Sequence, residues 1–178
     1  MKMLKKLLAV VLTGAMALTL FTACGSNAVR DKDIADALNN IVKLNDSEVT
    51  FTPRAKEREM AQKVAALLES HSEDDSNSAE LSAKIQGILG IDQGGVNENN
   101  FVWVQNALTD KLGAEGQAFQ VMESLTDKGG AYNFSSLGSK EPADTRYMGT
   151  ALCKIPDQKD NLVTVRVIVI TAEPVDKK

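Results

Sequence analysis

Apolar residues recur along this chain at two different periods, and the change from one to the other divides it. Over 33–44, Ile34, Leu38, Ile41 and Val42 fall at i, i+4, i+7 and i+8 with Ala37 beside them, the stripe of a helix packed on a core. A second helix is predicted over 53–70. Thr52 suits its N-cap, Pro53 suits a first position where a missing N–H is harmless, and Met60, Val64, Leu67 and Leu68 carry the stripe. Ser78 can cap a shorter third helix with Leu81, Ile85, Ile88 and Leu89 on one face and Gly90 as a left-handed stop. A fourth, over 115–127, shows Ala118, Phe119, Met122 and Leu125 before Lys128-Gly129-Gly130 ends it.

The period then shortens. Residues 101–112 admit two readings: Phe101 and Trp103 alternate with Val102 and Val104 as in a strand, while Phe101, Val104, Leu108 and Leu112 would also serve a helix; β-branched and aromatic content favours strand at the start. Residues 131–145, rich in Gly, Ser and Pro, read as a long irregular connection. Runs 146–155 and 162–171 read as strands joined through Pro156-Asp157-Gln158-Lys159-Asp160-Asn161, a C-terminal hairpin. In the last strand Val163, Val165, Val167 and Val169 load one face; Leu162, Ile168 and Ile170 load the other around Thr164 and Arg166. A strand apolar on both faces belongs in the middle of a sheet covered on both sides. The expected class is therefore α+β, with helices packed on both faces of a small antiparallel sheet.

The N-terminus follows neither period. Lys2, Lys5 and Lys6 precede an uncharged run over 7–23, a charged n-region followed by an apolar h-region. The run ends in Leu20-Phe21-Thr22-Ala23-Cys24, which resembles the lipobox at which a lipoprotein signal peptidase cuts after the thiol is diacylated; Phe21 stands where Leu or Val is usual. A plain transmembrane helix, or a cleaved signal that leaves a soluble product, is the alternative, but two small residues and a Cys have no purpose in either. The expected organisation is a signal peptide over 1–23, a lipid anchor on Cys24 with a tether to residue 30, one domain over 31–173 and a tail over 174–178. The tether spans on the order of 20 Å at about 3.5 Å per residue. The implied location is the extracytoplasmic face of the cell membrane.

Cleavage leaves 155 of the 178 residues, enough for one domain with its own core. Three lysines leave with the signal, taking the net charge from −4 to −7 if the Cys24 amine is acylated. That balance argues against nucleic acid and anionic headgroups as partners, both of which need a basic surface. With Cys24 lipidated, Cys153 is the remaining thiol, so no intrachain disulfide is available and stability must come from packing.

Residue types that carry chemistry are sparse. His71, the one histidine, lies among Glu69, Glu73, Asp74 and Asp75, where it could ligate a divalent metal or act as a general base; a solvated acidic loop is the competing reading. The stretch 74–80 lacks the turn glycine of a calcium loop. Cys153 shares a strand face with Ala151 and Ile155 and is expected to be buried and inert. No Gly-x-Ser-x-Gly elbow, phosphate-binding glycine loop, Cys-x-x-Cys pair or His-Glu-x-x-His helix occurs.

Taken in order, the pieces resemble the CAP superfamily, the cysteine-rich secretory, antigen 5 and pathogenesis-related domain that bacteria export in an SCP-like form. The correspondence runs from about Ile34 to Ile170. It sets a helix over 38–45, a longer one over 53–68 with His71 soon after, a short helix over 81–90 ending near a Gly, the pair Glu98-Asn99 before the first strand, a helix over 115–127, and Tyr147-Met148-Gly149-Thr150-Ala151 as a strand with a Gly near its start. The resemblance implies an α-β-α sandwich with a cleft lined by His71 and Glu98, Asn99 beside them. Where the family places a second His, this chain reads Tyr132-Asn133-Phe134, and the family's preceding Trp is missing, so a metal-binding cavity of two His and two Glu is incomplete. No cofactor is expected. The implied function is a non-catalytic binding or interaction domain for a protein, glycan or lipid ligand. Two alternatives stand beside it: an envelope hydrolase using His71 and Glu98 as acid and base, and a purely structural envelope lipoprotein.

Overall fold

A computed structural model describes residues 29–45, 47–70, 78–91, 100–126, 140–157 and 159–176. In chain order the elements are α1 (Asp31–Leu44), β1 (Thr50–Pro53), α2 (Ala55–Ser70), α3 (Ser78–Leu89), β2 (Phe101–Thr109), α4 (Ala114–Thr126), β3 (Lys140–Pro156) and β4 (Leu162–Asp176). The class is α+β: four helices and one four-stranded sheet in the order β1-β3-β4-β2. The sheet is mixed, which corrects the expected antiparallel one, because β1 pairs with β3 in parallel while β3–β4 and β4–β2 are antiparallel.

The parallel strand is the element that periodicity hid. Thr52 and Pro53, expected to cap and open the second helix, instead form the end of β1 opposite Tyr147 and Met148. Four residues are too few to show a period, and Phe51 alone is buried. The other edge of β1 is completed by a side chain: Asn39 of α1 accepts from the Phe51 N–H at 2.7 Å and donates to its carbonyl at 3.0 Å. The Arg54 N–H then bonds to the Met148 carbonyl, and the helix starts one residue later.

β4 lies between β3 and β2, as its two apolar faces require. Ile168 and Ile170 join Met148 and Trp103 in one cluster with Ile34, Leu38 and Val42 of α1 and Ala118 and Val121 of α4. Val165, Val167 and Val169 join Val102 and Cys153 in a second cluster with Ala61, Val64 and Ala65 of α2 and Ile85 and Leu89 of α3. Because successive strand residues point to opposite faces, the two clusters lie on opposite sides of the sheet.

Several boundaries move. α1 begins at Asp31, two residues early, because the Asp33 carboxylate accepts the Arg30 backbone N–H and closes the first turn. Residues 101–109 are strand throughout, with a register shift between Gln105 and Leu108. Residues 140–145, expected in an irregular connection, open β3, and 174–176, expected as a tail, close β4 opposite them. Phe119 is 65% exposed, since the buried stripe of α4 runs through Gln117, Ala118 and Val121. Gly90, with φ of 66°, does stop α3 in the left-handed conformation.

α2 lies unusually close to the sheet. Its inward face is built of Glu57, Ala61, Val64 and Ala65, three of them small or short, and it crosses β3 at Gly149. A Cβ at Gly149 would stand 1.9 Å from the Arg58 nitrogen and 2.3 Å from the Glu57 carbonyl carbon, so the strand can carry only glycine there. Toward its other end α2 meets the outer edge of β3, where Glu69 accepts the Lys154 N–H at 2.8 Å. That carboxylate occupies a donor which an unguarded edge would offer to another strand.

Candidate functional site

Cys24, His71, Glu98, Asn99, Tyr132 and Asn133 all lie outside the described residues. Cys153 is described, and it behaves as its strand position implies. The thiol is 1% exposed, and burial first, then the Glu69 charge, pushes its pKa up to about 11, which leaves almost no thiolate at neutral pH. Among the described residues no group of three His, Cys, Asp or Glu gathers as a metal site requires.

Two polar constellations are present instead. The first is a charged network where the N-termini of α1 and α2 meet β3 and β4. Glu57 is completely buried in the first turn of α2; Arg54 donates to both of its carboxylate oxygens, and the Thr171 hydroxyl donates to Oε1 at 2.7 Å. Burial alone would raise this carboxyl's pKa, but the hydrogen bonds from Arg54 and Thr171 outweigh it and hold the group below the ordinary glutamate value. The same bond raises Arg54, whose guanidinium also lies 3.7 Å over the Tyr147 ring.

On the opposite face, Asp31 accepts from Arg58 at 2.7 Å and from the Thr150 hydroxyl at 2.6 Å, and Thr150 in turn accepts from Arg166 at 2.9 Å. A second nitrogen of Arg166 donates to the Val29 carbonyl at 2.9 Å. Arg58 belongs to the α2 side and Asp31 to the α1 side. Their ion pair therefore passes around β3 beyond Met148, the last residue that β1 covers. Every oxygen of the Glu57 and Asp31 carboxylates accepts a hydrogen bond, an arrangement that fixes the helices in place.

The second constellation is uncharged. On α4 Gln117 is wholly buried, donating from Nε2 to the Leu112 carbonyl at 2.7 Å, while its Oε1 has no donor. Oε1 of Gln120, one turn on, and Oε1 of Gln105 on β2 are likewise buried without a donor. Gln105 pairs with Ile168 and so faces the side of the sheet that α4 covers. Buried carbonyl oxygens without donors cost free energy unless a ligand or water supplies the hydrogen. Amide oxygens accept and do not titrate; each of these three would take its hydrogen from a water or another donor that reaches it.

Sequence periodicity pointed to neither set. A usable signal was Arg166, a charge inside a strand apolar on both faces, since a buried guanidinium demands partners. The glutamines carried no such mark.

No family model, characterised protein or solved structure matches this chain. No helix among the described residues is long and apolar enough to cross a membrane.

Proposed function

We propose that this chain is an exported lipoprotein, acylated at Cys24, whose domain is a non-catalytic binding module on the extracytoplasmic face of the membrane. The carrying observation is the N-terminal order of three lysines, an apolar run and Thr22-Ala23-Cys24, followed within five residues by Val29, the point at which the chain is pinned to the sheet. A folded body that begins so soon after the cysteine suits a short tether better than a membrane-spanning helix with a spacer.

A CAP-like sandwich is the fold this reading carries. What supports it is the order of helices and strands, together with apolar clusters on both sides of the sheet and Gly149 near the α2 crossing. What favours binding is the three buried amide oxygens, each awaiting a donor. The ligand class that fits those oxygens is one rich in N–H or O–H donors, such as a peptide or a glycan.

Cell fractionation tests the anchor. The wild-type chain should sediment with membranes, resist high salt and be released by detergent, while Cys24→Ala should lose that behaviour. Retention of Cys24→Ala on membranes would overturn the reading. For the binding half, envelope peptides and glycans should raise the melting temperature of the wild type and fail to do so for Gln120→Leu, at the glutamine of α4 that keeps some surface. An equal rise in both would remove the glutamines from the site.

A further inference from the structure

The side chains that receive the N-terminus also mark where cover on one sheet face stops. Val29 and Asp31 bond to Arg166 and Thr150, so the chain enters the fold above that row. The continuous register from Arg146 to Pro156 keeps Leu152 and Lys154 of β3, and Leu162 of β4, on the same face nearer the hairpin tip. There the face is open: Leu152 is 40% and Leu162 72% exposed, whereas Ile168 and Ile170 on that face are fully buried beneath the helices.

We propose that Leu152, Lys154 and Leu162 form the surface that this domain lays on the membrane carrying its lipid. The inference rests on acylation of Cys24 and adds an orientation to it. Where the tether ends identifies the occupant. From Cys24 to Val29 the chain spans at most about 18 Å. From Arg166 to Leu162 along β4 is four residues, about 13 Å. A tether of that reach is long enough to let the leucines meet the acyl chains.

Their chemistry fits the same occupant. Two exposed leucines flank an exposed lysine, so apolar groups can enter the acyl boundary while the ammonium stays with the phosphates. With a mature charge of −7, or −6 if the Cys24 amine stays free, the domain has no general attraction for anionic lipid, and the contact depends on the high local concentration that the anchor supplies. The opposite layer, α2 and α3, is turned toward the periphery.

The test uses the full lipidated chain in phosphatidylcholine vesicles that contain a lipid with a nitroxide on its headgroup. Single cysteines replace Leu152, Leu162, Leu44 at the far end of α1, and Lys63 on the outer side of α2; each carries the same fluorophore, and buried Cys153 stays unlabelled. Quenching at Leu152 and Leu162 should exceed that at Leu44 and Lys63 by at least about threefold, as expected for groups at the interface. Leu162→Glu should lower quenching of the Leu152 probe to the control level. Equal quenching at all four positions on vesicle-bound protein, or an unaltered Leu152 probe in Leu162→Glu, overturns the orientation and leaves the anchor standing. A chain that does not float with vesicles overturns both.

Discussion

Adding one methyl group at Gly149 should be among the most damaging small changes this domain can suffer. The Cβ of Gly149→Ala would lie 1.9 Å from the Arg58 nitrogen and 2.4 Å from its Cα. Both are backbone atoms of a helix start, so no side chain can swing aside. Relief requires moving α2 outward by more than 1 Å, since ordinary carbon contacts begin at about 3.5 Å. That shift would loosen the Ala61, Val64 and Ala65 packing and stretch the bonds from Thr171 to Glu57 and from Arg58 to Asp31. Overpacking alone costs about 1–3 kcal/mol, and the displaced ionic contacts bring the expected loss to about 3–4 kcal/mol. For a domain of this size the melting temperature should fall by roughly 6–16 °C.

Gly87→Ala is the control, because it is the same chemical change where nothing lies within 4 Å of the added carbon. In the last turn of α3 that substitution should stabilise by up to about 0.5 kcal/mol. Urea unfolding of the two variants, with a common m-value, reads both effects. A loss under about 1 kcal/mol for Gly149→Ala would show that α2 can ride higher on the sheet and would refute the close-packing argument.

Other expectations follow from the charged network and the thiol. Glu57→Gln removes a buried charge partner; because Arg54 keeps about a third of its surface in water, the loss in urea unfolding should be about 2 kcal/mol, and a neutral result would contradict the network's role. Since Glu57 has a folded pKa below its ordinary value of 4.5, its contribution is present above that pH and is lost as pH falls through the lower folded value; stability between pH 5 and 3 should therefore drop less steeply in Glu57→Gln than in the wild type. Cys153 should be inert to a disulfide reagent at pH 8 in the folded chain and react fully in denaturant, and fast native labelling would contradict its burial. Loss of a measurable envelope-hydrolase activity in His71→Ala or Glu98→Gln, with the fold intact, would favour an enzyme over a binding domain.

The helices were legible because each shows an apolar stripe long enough to reveal its period, as Ile34, Leu38 and Val42 do on α1. β4 revealed its central place through its two loaded faces. What periodicity missed is local or charged. β1 has one buried residue, Phe51, and owes its existence to the Asn39 amide and to pairing with a strand almost a hundred residues later. Thr52-Pro53 fits a helix start equally well by local rules, and tertiary pairing decided otherwise. Arg166 announced that partners must exist, but Asp31 and Thr150 reach it only through the fold. The candidate cleft of His71, Glu98, Asn99, Tyr132 and Asn133 falls outside the described residues, so the polar groups on which the present reading stands are different ones.

The most direct test of the central claim is the intact mass of the protein extracted from membranes by detergent. A chain beginning at Cys24 and carrying a thioether-linked diacylglyceryl group is the predicted result. A mature chain with an unmodified Cys24, or one still holding residues 1–23, would contradict it.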